Sequence, residues 1–134
     1  MTEGGDLDKL GRGTVWNDEI ANCLHQNHVF AVRPNPELLA SEYLALMTRT
    51  SYARAYFEST GTKTTNLAST SSSKIRDFRI PLVSLDDQLD AVQETNAWLT
   101  EIANIQQVLT KQWSLLAERR QALITAAVTG GITV

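Results

Sequence analysis

The chain has 134 residues, 43% of them hydrophobic, and a formal net charge of −3. This length and composition predict one small domain, or a small domain with one long element, and exclude wholesale disorder. No run of about 18 apolar residues occurs, so we expect no membrane span. The N-terminus lacks the basic and apolar segments of a secretory signal. The single cysteine, Cys23, excludes an internal disulfide framework and fits a cytoplasmic location.

Residues 1–83 have the sequence pattern of an α+β domain, in which short apolar or β-branched runs alternate with turn residues. Three of these runs predict strands, at residues 14–16, 28–33 and 75–82. Asn35 followed by Pro36 predicts a helix start, with the asparagine as N-cap and the proline at the first helical position.

A second short helix is predicted after Ser51, which we expect to act as its N-cap. This helix runs through Phe57 and closes near Gly61.

Residues 84–129 contain no proline and no glycine, and they predict one long α-helix. Ser84 and Asp87 have the spacing of a capping box, and the glycines at 130 and 131 supply a stop before a short tail, 130–134. A helix of about 43 residues spans roughly 64 Å, which is longer than a small domain. The predicted fold class is therefore α+β, with a small domain followed by a long helix that forms a coiled coil.

An apolar stripe follows one face of this predicted helix, in steps of three and four residues. The packing residues are predicted to be Leu89, Val92, Leu99, Ile102, Ile105, Leu109, Trp113 and Leu116. One interpretation is that the stripe packs on the chain's own body. A body of about 80 residues is too small to cover so long a helix, so we favour a partner helix. One hypothesis is a homodimer, in which two copies pair antiparallel.

A basic, hydroxyl-rich segment precedes the long helix. Lys63, Lys74, Arg76 and Arg79 stand there against a single acidic residue, Asp77. Cations and hydroxyls are the groups that bind a DNA backbone, so we predict contacts from Lys63, Thr64, Thr62, Lys74, Arg76 and Ser72, with Lys9 and Arg12 as secondary candidates. The alternative, which composition alone favours, is a flexible surface loop with solvated charges.

The sequence contains no recognisable catalytic motif: it has neither a phosphate-binding glycine loop nor a nucleophile elbow. Cys23, His25 and His28 are the residue types that bind a metal. However, they have no second cluster to complete a tetrahedral site, so structural roles are favoured for them. We therefore expect no catalytic residue, no metal and no cofactor in this chain.

Five strings in order along the chain resemble the DNA sequence-specificity subunit of type I restriction–modification systems. Residues 4–16 and 23–34 resemble the middle of its target recognition domain, and 61–70 its glycine-and-threonine element. Residues 80–88 resemble the start of its spacer helix, and 119–130 its closing signature. The resemblance implies that residues 1–83 form part of a recognition domain whose first portion is missing, and that 84–129 form the spacer helix.

This resemblance also implies a function. Such a subunit carries two recognition domains, each of which binds half of a split site in double-stranded DNA, separated by two long antiparallel helices. The helices bind modification subunits, which methylate adenine with S-adenosylmethionine, and a restriction subunit that uses ATP joins them. Catalysis and cofactors would then belong to the partner subunits. The remaining alternative is a self-associating coiled-coil protein that does not bind DNA.

Overall fold

Four α-helices, three two-residue strands and one 3-10 turn form the regular structure in the computed structural model, which describes residues 1–63 and 67–131. The elements are β1 (Gly4–Gly5), the 3-10 turn Leu7–Lys9, α1 (Ser41–Met47), α2 (Ser51–Thr60), β2 (Thr62–Lys63), β3 (Ala68–Ser69), α3 (Ser72–Asp77) and α4 (Leu85–Val128). The predicted α+β class with one long helix is confirmed. The chain divides into two compact units, Met1–Gln93 and Glu94–Val134, and the boundary lies inside α4.

The three strands form a small antiparallel sheet in the order β1-β3-β2. Gly4 lies opposite Ser69, and Lys63 lies opposite Ala68. Because β3 is central, β2 is an edge strand of this sheet, and both of its residues are exposed.

The core of the first unit is built around Phe57, which is only 1% exposed. It packs with Phe78, whose ring centroid lies 5.2 Å away, and with Leu10 and Ala68. Gly11 has φ +69°, and a Cβ at this position would overlap the Phe57 ring. Position 11 therefore requires a left-handed backbone and close packing on the core, and glycine satisfies both requirements.

The strand predicted at residues 75–82 is wrong. Residues 72–77 instead form α3, because the Ser71 hydroxyl accepts a hydrogen bond from the Lys74 amide, at 3.4 Å, and caps a helix. Ile75 and Phe78, three residues apart, then both pack against the core, as the spacing of a helical turn allows.

The other two predicted strands are also wrong. Residues 14–16 form no strand, and in 28–33 only Val29 makes a bridge, to Thr2. Strands need a neighbour that completes the backbone ladder. The N-terminal residues supply this only locally: the Phe30 amide donates to the Met1 carbonyl, at 2.8 Å, and the Glu3 amide donates to the His28 carbonyl.

A fully buried glutamine, Gln88, joins the first turn of α4 to the segment before α1. Its Oε1 accepts from the Ala40 amide, and its Nε2 donates to the carbonyls of Leu38 and Val83, each at 2.9 Å. These bonds satisfy both ends of a buried amide that would otherwise be costly to desolvate.

The same bonds explain why α1 begins at Ser41 and not, as predicted, at Pro36. Asn35 does cap a turn, since its Oδ1 accepts from the Glu37 amide at 3.1 Å. Ala40, however, has an extended backbone, and its amide is bonded to Gln88. The helix therefore starts after this residue.

The caps of α2 and α4 follow the sequence closely. Thr50, one residue before the predicted Ser51, caps α2 by accepting from the Ala53 amide at 3.2 Å. Ser84 caps α4: its hydroxyl accepts from the Asp87 amide at 3.2 Å and donates to the Asp87 carboxylate at 2.6 Å. Ser84 is confirmed as the N-cap, and the Asp87 carboxylate bonds the Ser84 hydroxyl in place of the backbone amide that a full capping box engages.

The predicted stop of α4 is also confirmed. Gly130 has φ +76°, and the Gly131 amide donates to the Ala126 carbonyl at 2.7 Å. This is the hydrogen-bond pattern with which a glycine in the left-handed region ends a helix.

Replacing Gln88 by alanine is expected to destabilise the first unit by about 1–3 kcal/mol, because three backbone groups lose the buried side chain that bonds them. Urea denaturation followed by near-ultraviolet circular dichroism of the aromatic core measures this loss. Gln93→Ala is the matched control, since Gln93 is an exposed glutamine on the same helix. Equal midpoints for the two variants would contradict the role assigned to Gln88.

Candidate nucleic-acid interface and the exposed face of the long helix

The predicted DNA-contacting residues include a group that the fold brings together at the edge of the sheet. Thr62 and Lys63 form the edge strand β2, and the Lys74 ammonium donates to the Thr62 hydroxyl at 3.4 Å. Ser72 and Arg76 lie one turn apart on α3, where the Arg76 Nε donates to the Ser72 carbonyl at 3.4 Å. We call these five residues, Thr62, Lys63, Ser72, Lys74 and Arg76, the basic edge.

The basic edge is held by contacts to the core. The Tyr56 hydroxyl on α2 donates to the Lys74 carbonyl at 2.8 Å, which ties α3 to α2. Burial raises the pKa of this tyrosine, so its hydroxyl remains a donor at neutral pH. The base of the Lys74 side chain is therefore fixed, while Lys63 and Arg76 extend from exposed positions.

The charges of the basic edge are not neutralised internally. Within residues 1–63 and 67–131, no carboxylate forms an ion pair with Lys63, Lys74 or Arg76. Thr64, the remaining predicted contact in this segment, lies outside the described residues.

The two secondary candidates have acidic partners instead. Lys9 forms an ion pair with Asp6 on the 3-10 turn, and this hydrogen bond raises the pKa of the Lys9 ammonium. Arg12 lies 3.9 Å from the Asp8 carboxylate. Their charge is therefore partly compensated, in contrast to that of the basic edge.

The predicted packing residues of α4 are divided between the two units. Leu89 and Val92 lie in the first unit, where Val92 is half-buried and Leu89 is exposed. The other six lie in the second unit and are all exposed: Leu99, Ile102, Ile105, Leu109, Trp113 and Leu116.

The sequence analysis missed Trp98, which belongs to this face. At about 100° per residue, Trp98 lies between Ile102 and Ile105 in angle, whereas Leu99 lies roughly 60° beyond Ile102. Counting back from Ile105 in alternating steps of three and four gives Ile102, Trp98, Thr95, Ala91 and Gln88. The signal that would have identified Trp98 is this alternating register. The same register leads back to Gln88, the buried residue.

An open cavity of about 630 Å³ also lies in the first unit, between the loop 13–36 and α1. Its lining is mainly apolar and includes Trp16, Phe30 and Leu44, with Cys23 and His25 at the same surface. No group of three or more potential metal ligands comes together in the described part of the chain.

The chain matches no protein-family model, no curated protein and no solved structure. The resemblance to type I specificity subunits therefore rests on the five short strings and stays a prediction. Among the helices of the described ranges, none is sufficiently long and apolar to cross a membrane.

Proposed function

We propose that this chain is a non-catalytic, cytoplasmic DNA-specificity fragment of a type I restriction–modification system. Its first unit would contact double-stranded DNA through the basic edge, and α4 would dock modification subunits, which in turn recruit the restriction subunit. Methylation and cleavage, with their cofactors, would take place in those partners.

The observation that carries the DNA-binding proposal is the basic edge. It combines three cations that have no carboxylate partner among the described residues with exposed side chains of Thr62 and Ser72. Cations supply most of the affinity for phosphates, and hydroxyls add hydrogen bonds that fix register. The sheet and α3 fix the backbone from which these side chains extend, which lowers the entropic cost of ordering them on binding.

The docking proposal rests on α4. This helix has 44 residues, and the part of it in the second unit exposes leucine, isoleucine and tryptophan side chains. These side chains offer a surface for helical partners. The same observation supports the second candidate function, a self-associating assembly protein that does not bind DNA. DNA binding separates the two candidates.

Fluorescence anisotropy with a labelled duplex of random sequence, titrated at several salt concentrations, tests the DNA-binding proposal. Lys63→Ala with Lys74→Ala should weaken binding and reduce the slope of log K against log salt by about 1.8, because two phosphate contacts are lost. The complex with a modification subunit is measured in parallel.

Arg33→Ala with Lys111→Ala is the matched control, because it removes the same number of cations from positions outside the predicted DNA contacts. We expect it to change the slope much less. If both double variants bind with the wild-type slope, the basic edge is not the DNA contact. If the wild type does not bind duplex DNA at low salt, alone or with a modification subunit, the second candidate function is favoured.

A further inference from the structure

A polar cavity of about 250 Å³ lies in the first unit, between the 3-10 turn and the start of α2. Three arginines line it, Arg12, Arg49 and Arg54, together with the hydroxyl residues at positions 48, 50 and 51. Among the described residues of this lining, Asp8 is the one acidic side chain. Three positive charges and one negative charge give the lining a net charge of +2.

The fold brings these arginines together from three parts of the sequence. Arg12 follows the 3-10 turn, Arg49 lies between α1 and α2, and Arg54 lies in the first turn of α2. The buried Thr48 hydroxyl accepts from the Gly13 amide at 2.9 Å. This bond joins the residue that follows Arg12 to the residue that precedes Arg49, so the backbone beside the cavity is fixed without a ligand.

Most of the guanidinium donors at the cavity have no partner among the described residues. The Arg54 Nε donates to the Glu58 carboxylate at 2.7 Å, which leaves its two Nη nitrogens for another acceptor. Arg12 lies 3.9 Å from the Asp8 carboxylate, which is too far for a hydrogen bond. Arg49 forms no ion pair with a described carboxylate. Because three like charges around one space repel one another, an anion among them is attracted by all three.

The donors, the charge and the size of the cavity fit a phosphate group. A guanidinium presents N–H groups in one plane, and these match two oxygens of a phosphate. A phosphate monoester carries a charge of about −1.5 to −2 at neutral pH, which balances the lining better than the single charge of a carboxylate. At about 30 Å³ for each water molecule, the cavity of about 250 Å³ has room for a phosphate and part of the group attached to it. The positive end of the α2 dipole adds to the attraction.

We propose that Arg12, Arg49 and Arg54 bind the phosphate group of a small phosphorylated molecule, and we call these three residues the arginine site. The arginine site shares no residue with the basic edge. It therefore does not depend on the proposed DNA contact, and the two assignments can be tested separately.

Isothermal titration calorimetry of the full chain with sodium phosphate, at neutral pH and constant ionic strength, tests the arginine site. The wild type should bind phosphate. Arg49→Gln with Arg54→Gln should weaken this binding at least about tenfold, because two of the three guanidinium groups are lost. Far-ultraviolet circular dichroism verifies that the variant remains folded.

Arg33→Gln with Arg119→Gln is the matched control, because it removes two arginines from outside the cavity lining. This control should keep the wild-type affinity for phosphate, and so should Lys63→Ala with Lys74→Ala. A wild type that binds no phosphate would overturn the proposal, as would an equal loss in the two arginine pairs. Loss of phosphate binding in the lysine variant alone would place the anion at the basic edge and would overturn it too.

Repeating the phosphate titration with an excess of random-sequence duplex distinguishes two sources of the phosphate group. An unchanged affinity for phosphate supports a small phosphorylated molecule as the ligand. Displacement of phosphate by the duplex would show that a DNA phosphate occupies the arginine site, and it would overturn the small-molecule source.

Discussion

Gln88 makes three hydrogen bonds at the first turn of α4, and much of the arrangement of the first unit depends on them. A buried amide must be satisfied on both its oxygen and its nitrogen, so the segment 38–40 is fixed where it can supply a donor and an acceptor. That requirement explains why α1 begins at Ser41. It also joins the long helix to the segment before α1 through a polar contact.

The face of α4 that carries Gln88 changes from covered to exposed along the helix. It begins with Gln88 and Ala91, which the first unit covers at least in part, and continues in the second unit as the large apolar side chains of the stripe. Burying those side chains is favourable in water, and the described part of the chain leaves them exposed. The buried contact of Gln88 and the exposed apolar side chains further along are thus two properties of one face. The basic edge, on β2 and α3, uses separate residues, so the proposed DNA contact and the proposed docking through α4 are compatible.

Sequence patterns predicted the features that depend on local chemistry. The N-cap at Ser84, the glycine stop at Gly130 and the length of α4 all follow from neighbouring residues. The predicted strands were wrong because strand formation depends on a distant neighbour, which a local alternation of residues does not reveal. Gln88 was missed as a packing residue because periodicity searches count apolar side chains. Lys63 and Lys74 were grouped by their proximity in the sequence, whereas the hydrogen bond between Lys74 and Thr62 depends on the fold.

Co-expression of this chain with the modification subunit encoded nearest to it tests the central claim most directly. The account predicts that the two proteins co-purify as a complex of defined mass, with the specificity fragment supplying the contact to duplex DNA. A folded chain that elutes without the modification subunit, at concentrations where both are abundant, would contradict the assignment to a restriction–modification system.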